Sequence, residues 1–291
     1  MYSYYIYGLG IQSEIRLYQL EQYTGRAVDV TVYRGEIPAD IAQYAKAGSK
    51  SSMSRNRAWF CNDLGHFIIS NGTEIMVQPV EHATEEQLAS FVLGWCIAFL
   101  FQQRGVSAIH CSALEMKNRA VLISGGSGAG KSTLTLALLQ KGYRYLADDI
   151  AMVDVNKDML IQPAFPQQKV CRDVAERMES EQLFYVDEKK DKFAYVNVEQ
   201  FCEEPKKLST IFLLSSYEGQ ELLIEKLKGL EKWNGIMRNL FLLDAYLALG
   251  FPGEEKNRCL EIAGKVEVYA IRRPQGKDTV EEICDQIIGL I

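Results

Sequence analysis

The sequence predicts an α/β fold built on a phosphate-loop core, with a β-rich block ahead of it. Three observations carry that prediction. Residues Gly125–Ser132 spell a complete G-x-x-x-x-G-K-[ST] motif, a pattern whose glycines let backbone N–H groups turn inward around a polyphosphate. The motif lies between an apolar run, Ala120–Ile123, which reads as a buried strand, and Lys131–Lys141, which reads as a helix. Residues 2–80 are instead rich in aromatic and β-branched runs broken by turn pairs, the pattern of short strands.

In chain order, the expected organisation is a β-rich accessory domain over 1–83, a buried connecting helix over 84–105 and a phosphate-loop domain over 106–291. In the first, Tyr2–Tyr7, Val28–Tyr33, Arg57–Phe60, His66–Ile69 and Glu74–Val80 read as strands of an antiparallel sheet. Asn62-Asp63 and Asn71-Gly72 supply turns, and the polar run Ala47–Asn56 reads as a loop. Thr84 with Gln87 three residues on makes a capping-box pattern that opens a helix to about Arg104, where Gly105 stops it. Its apolar middle, Leu88–Phe101, is too short to span a bilayer comfortably, so no membrane role is expected.

Ala108–Ser124 reads as a hairpin turning at Lys117-Asn118, whose second strand delivers the glycine loop. His110 lies on the first strand of that hairpin, and antiparallel pairing carries it toward the loop's end of the sheet. A lone histidine on an apolar strand is more often a core residue than a reactive one. Gly142 ends the loop helix, and Tyr143–Ala147 reads as a parallel strand one right-handed crossover away, capped by Asp148-Asp149. That crossover places the acid pair beside the loop. Beyond it come a strand Ile150–Val155, a Pro-punctuated stretch Gln162–Asp173, and a polar helix or loop to Lys192. A strand Leu208–Leu214 paired with Leu222–Leu227, a long helix Trp233–Leu249, a strand Val266–Ile271 and a helix from Thr279 complete the chain.

Gly125, Gly126, Ser127, Gly128, Ala129, Gly130, Lys131, Ser132 and Thr133 are the candidates for holding a nucleotide. Lys131 is expected at the β- and γ-phosphates, Ser132 on Mg²⁺, and Thr133 with the loop amides on the inner phosphates. Two adjacent acids close behind such a loop divide the work: one holds the metal, and the other takes a proton from an attacking hydroxyl. ATP and Mg²⁺ are therefore the expected ligands. Lys169, Arg172, Lys192, Arg238, Arg272 and Arg273 are the basic residues of this half available to meet a transferred phosphate.

Composition narrows the classes further. The 291 residues are 47% hydrophobic and 24% charged, as in soluble globular proteins. A net charge of −6 argues against a nucleic-acid partner held by bulk electrostatics. The seven cysteines are scattered with no C-x-x-C pair, which reads as reduced thiols. The opening MYSYYIYGLG has no basic stretch followed by an apolar core, so a cytoplasmic protein is expected.

His110 on a hairpin, the loop GGSGAGKST and the close-following ADD together resemble the HPr kinase/phosphorylase family, whose core is related to ATP-dependent phosphoenolpyruvate carboxykinase. The stretches YIYGLGIQSEI, PAFPQQKV, the Lys192 region before a strand and VEVYAIRRPQGKDTVEEICDQI are similar to the smaller HPr-kinase-related kinases, including those found beside lasso peptides. The resemblance implies a mixed sheet of the phosphoenolpyruvate carboxykinase/HPr kinase type. It also implies an ATP- and Mg²⁺-dependent transfer of the γ-phosphoryl group to a hydroxyl, with Ser or Thr of a peptide or protein as acceptor. On the family pattern Asp148 is the base, Asp149 joins Ser132 at the metal, and His110 stands near the phosphoryl group with Lys131. The N-terminal block does not look like that of the bifunctional enzyme, and its glycine-containing signature after the acid pair is missing. HPr as acceptor and the reverse phosphorylase reaction therefore do not follow. Relatives with this core often assemble, so a homo-oligomer is compatible with the resemblance. Two other functions stay open: a nucleotide-dependent binding module or switch that grips a partner through its β-rich half, and a small-molecule kinase.

Overall fold

The computed structural model describes residues 1–171, 183–187 and 192–291, and the chain divides into two compact units. One comprises Met1–Val106 with Asp244–Glu255, the other Ser107–Leu243 with Lys256–Ile291.

The first unit is built on a seven-stranded sheet in the order Tyr2–Ile6, Leu9–Ser13, Val30–Arg34, Glu74–Pro79, Gly65–Ser70, Arg57–Asn62 and Ser51–Met53. The sheet is mixed rather than antiparallel, because Leu9–Ser13 and Glu74–Pro79 both run parallel to the strand between them. The chain reaches each parallel partner by a long connection, as parallel pairing requires. Part of the polar run expected as a loop is the edge strand Ser51–Met53, paired with Arg57–Asn62. The capping box forms as expected: Thr84 N–H donates to Gln87 Oε1 at 3.1 Å and Gln87 N–H to Thr84 Oγ1 at 3.3 Å. The helix it opens is α over Glu85–Phe91, π over Val92–Cys96, and α again over Ile97–Gln103. Phe91 and Phe99 meet Phe60 and Phe67 of the sheet at ring separations of 4.6–5.4 Å, so the helix buries its apolar side within this unit. Among the described residues no helix is long and apolar enough to cross a membrane.

In the second unit, Ser107–Met116 and Arg119–Gly125 form the expected hairpin. Its turn residues Lys117 and Asn118 have φ of 47° and 62°, the double left-handed combination whose twist matches the strands. A lysine is costly there, whereas Asn tolerates the conformation. Lys117→Asn is therefore expected to add about 0.5–1 kcal/mol of stability, seen as a higher urea midpoint at unchanged slope.

Arg119–Gly125 runs parallel to Lys206–Tyr217, which runs parallel to Glu267–Pro274. The glycine turn follows at the common C-terminal edge of these strands. Leu134 and Leu138 of the helix Lys131–Gln140, with Ile283 and Ile287 of the helix Val280–Leu290, bury among Val121, Ile123, Phe212 and Ile271 of the strands. Each such side chain contributes about 1.5–3 kcal/mol, which seats the helix behind the turn.

Pairing departs from expectation in three places. Leu223–Lys226 lies against Glu267–Pro274, since Lys206–Tyr217 already has neighbours along both edges. The single helix expected over Trp233–Leu249 is two, Gly229–Met237 and Leu243–Leu249. Between them the backbone is diverted to the hairpin: His110 N–H donates to Asn239 O at 2.8 Å and Phe241 N–H to Ala108 O at 2.9 Å. Finally, Arg144–Ala147 is not adjacent to the loop strand, because Ser107–Met116 sits between them, antiparallel to both. Ala147 opposes Ala113 and Ile150 opposes His110, so Asp148 falls opposite Ser112 and Asp149 opposite Cys111. The acid pair is a kink inside one long pairing, not a cap at its end.

Gln167–Cys171, Leu183–Asp187 and Lys192–Val196 make a small third sheet. Arg172 and most of the polar segment expected before Lys192 lie outside the described residues.

Candidate active site

The turn after Gly125 is shaped by its glycines. Gly125 has φ +149°, and a Cβ there would stand 2.2 Å from Leu214 O on the parallel neighbour, a distance no atom pair tolerates. Gly128 and Gly130 take φ of 78° and 101°, open to glycine at little cost. Gly130 caps the helix Lys131–Gln140, and no side chain caps its first turn. The helix's leading N–H groups and its positive dipole end therefore serve the turn. Gly126, Ser127 and Gly128 are exposed at its crest, as is Thr133 in the first helical turn. The Lys131 ammonium donates to Gly125 O at 2.7 Å and Gly126 O at 3.1 Å. Behind the turn, Arg273 Nε donates to Ala129 O at 2.9 Å, and its guanidinium lies against Gly130.

His110 and Ser112, two apart on one strand, share a face. Ser112 O–H donates to Asp148 Oδ1 at 2.6 Å, and Lys169 N–H to Asp148 Oδ2 at 2.7 Å. Strand alternation would send Asp149 to the opposite face. Its φ of 71°, a conformation Asp accepts more readily than most residues, turns it back instead. Asp149 Oδ2 thus accepts from Lys169 Nζ at 2.7 Å, and Oδ1 lies 3.6 Å from His110 Nδ1. His110 Nδ1 is also 3.1 Å from Asp149 O; a carbonyl only accepts, so this contact assigns the ring proton to Nδ1. Ser124 O–H donates to His110 O at 2.6 Å, tying the loop strand to the histidine. Ser132 O–H donates to Lys169 O at 3.3 Å. Lys169 therefore touches both acids and the loop serine.

Burial pushes the Asp148 carboxyl above the usual carboxylate range, while the Ser112 hydroxyl and the Lys169 N–H pull it down. Burial pushes the neighbouring Cys111 thiol far up, so that sulfur is no nucleophile at neutral pH.

Two of the six basic candidates, Lys169 and Arg273, are placed here. Arg272 pairs with Glu225 at 3.4 Å, and Arg238 is exposed at a helix end. Lys192 is described only as strand backbone. Sequence reasoning missed Ser112 and Ser124. The available signal for Ser112 was its place two residues after His110, on the same strand face.

Among the described residues, no cluster of three or more His, Cys, Asp or Glu side chains gathers to hold a metal. The hydroxyl of Ser132 and the carboxylate of Asp149, both in contact with Lys169, are hard oxygen donors. They suit Mg²⁺, which takes few protein oxygens and completes its shell with phosphate and water.

Residues 103–171 match the HPr Serine kinase C-terminal domain family. This HPr-kinase-like segment, under a quarter of the chain, contains every site residue described above except Arg273. HPr kinase/phosphorylase of Enterococcus faecalis is 32% identical over 96 residues, 30% of this chain and 31% of that protein. The Shouchella clausii protein of the same name is 40% identical over 57 residues (19% and 18%), and the Lactobacillus acidophilus one 46% over 43 residues (15% and 13%). The chain thus matches less than a third of the length of each of these relatives. The HPr(Ser) kinase/phosphatase structure from Coxiella burnetii aligns over 63% of this chain and 89% of that chain, at 14% identity and a TM-score of 0.33.

Proposed function

We propose that this protein is an ATP- and Mg²⁺-dependent kinase that transfers the γ-phosphoryl group to a hydroxyl, that of a Ser or Thr in a peptide or protein. The observation that carries this reading is the joining, through Lys169, of an uncapped glycine-loop helix to a carboxylate pair, inside the segment similar to HPr kinases.

Lys131 reaches the β- and γ-phosphates and Thr133 with the loop amides holds the inner phosphates, with Ser132 and Asp149 as the metal-holding oxygens. Mg²⁺ held by these oxygens would offset the negative charge of the phosphates. Asp148 accepts the proton of the acceptor hydroxyl as the acceptor O–Pγ bond forms and the bond from Pγ to the β-phosphate oxygen breaks, releasing ADP. A carboxyl raised by burial is the stronger base for that step. His110, oriented through Nδ1, stands near the transferred group in this reading. The Lys169 ammonium supplies a cation beside it. Lys169→Met keeps the backbone contacts to Asp148 and Ser132 while deleting that charge. It is expected to lower turnover about 10²-fold with little change in ATP affinity, measured by steady-state kinetics and calorimetry.

The relatives are named for HPr, which makes a protein acceptor the first to try. Cys61, Cys96, Cys111, Cys202 and Cys284 form no disulfide, in keeping with the proposed cytoplasmic location. The test is transfer of labelled γ-phosphate from ATP and Mg²⁺ to HPr and to serine-containing peptides encoded near the gene. Label on any of these supports the kinase. Free phosphate alone, with partner affinity changed by nucleotide, favours the switch, and label only on sugars or alcohols favours a small-molecule kinase.

A further inference from the structure

We infer that Ser112 is a positioning residue for Asp148, holding its carboxylate in the orientation that presents an open lone pair to the acceptor hydroxyl. The inference rests on Asp148 being the base proposed above.

Ser112 is 2% exposed, so water does not compete for its hydroxyl, and a buried hydroxyl must find a partner inside. That partner is Asp148 Oδ1 at 2.6 Å, the short distance of a charge-assisted bond. The contact follows from strand register, since Ala147 opposes Ala113 and Ile150 opposes His110. Oδ2 is held separately by the Lys169 N–H at 2.7 Å. Two donors from two segments, one on each oxygen, lock the rotation of the carboxylate about its last bond. A carboxylate has about four lone-pair sites, so the two bonds leave acceptor capacity for the acceptor hydroxyl. The same strand carries His110, whose carbonyl accepts from Ser124 on the loop strand. Base, histidine and glycine loop therefore share one rigid frame. Ser112 is not itself a nucleophile: it is buried, and its proton is committed to the acid.

Small errors in the placement of a reacting group cost large factors in rate. Ser112→Ala is expected to lower turnover by about 10–10², without change in the KM for ATP or in ADP·Mg²⁺ affinity, and Ser112→Thr, which keeps the hydroxyl, to restore most of it. The readout is labelled γ-phosphate passed to HPr, or to water where HPr takes no label, with unfolding midpoints recorded for every variant. The decisive comparison places Ser112→Ala in an Asp148→Asn background. Residues acting as a unit are strongly non-additive, so the second change is expected to cost nothing further there. A similar loss in both backgrounds, or no loss in the parent, overturns the positioning role. Full turnover by Asp148→Asn alone instead overturns the base assignment, which separates the two failures.

Discussion

Asp148→Asn lowers phosphoryl transfer by about 10²–10⁴ and leaves ATP binding close to the parent value. The reasoning starts from what the substitution keeps. Asn has the shape of Asp, and its amide oxygen can still accept from Ser112, which donates at 2.6 Å in the parent. Lys131 donates to Gly125 O and Gly126 O, and Ser132 to Lys169 O, contacts the substitution does not touch, so the nucleotide-holding groups stay as they are. What is lost is the capacity to take a proton. One structural cost accompanies it: the amide nitrogen faces the Lys169 N–H that formerly found Oδ2 at 2.7 Å. Two donors facing each other cost roughly 1–3 kcal/mol, so a lowered unfolding midpoint is expected beside the kinetic loss. Transfer and hydrolysis rates at saturating ATP, with ADP affinity by calorimetry, separate the effects. Equal loss of binding and turnover would mean that Asp148 serves the nucleotide and not the acceptor.

Gly125→Ala is expected to cost about 2–4 kcal/mol of stability and to abolish nucleotide binding. The added Cβ would fall 2.2 Å from Leu214 O and 3.1 Å from its carbonyl carbon. Those are backbone atoms of a strand pinned between two parallel neighbours, and no rotamer change relieves the overlap. The φ of +149° adds backbone strain for any residue with a Cβ. Either the two strands part at the edge that launches the turn, or the turn moves. Gly126→Ala is the matched control: a Cβ there meets nothing of the protein within 4 Å, so its folding is expected to stay within about 0.5 kcal/mol of the parent. Urea melts of both variants test the contrast. Parent-like stability for Gly125→Ala would show that the turn is far softer than its contacts indicate.

The features legible in the sequence alone are those whose physics is local. The glycine turn, the helix behind it, the Thr84–Gln87 box and the hairpin turn at Lys117-Asn118 each depend on residues a few positions apart. Their chemistry restricts φ or supplies a hydrogen bond to the nearby backbone, so the letters suffice. His110 and the acid pair were recognisable as chemistry, but not as geometry. Tertiary structure decided how they meet. Only the pairing of Ser107–Met116 with the strand carrying the acids sets Ser112 opposite Asp148, and only the left-handed Asp149 brings both carboxylates to one side. Lys169, one of six basic residues that composition could not rank, is singled out because its N–H, ammonium and carbonyl engage Asp148, Asp149 and Ser132. The helix expected over Trp233–Leu249 breaks for the same kind of reason: Asn239 and Phe241 hydrogen-bond to a strand more than a hundred residues earlier. Register, strand order and burial arise between distant segments, and local propensity carries no information about which segment will be the partner.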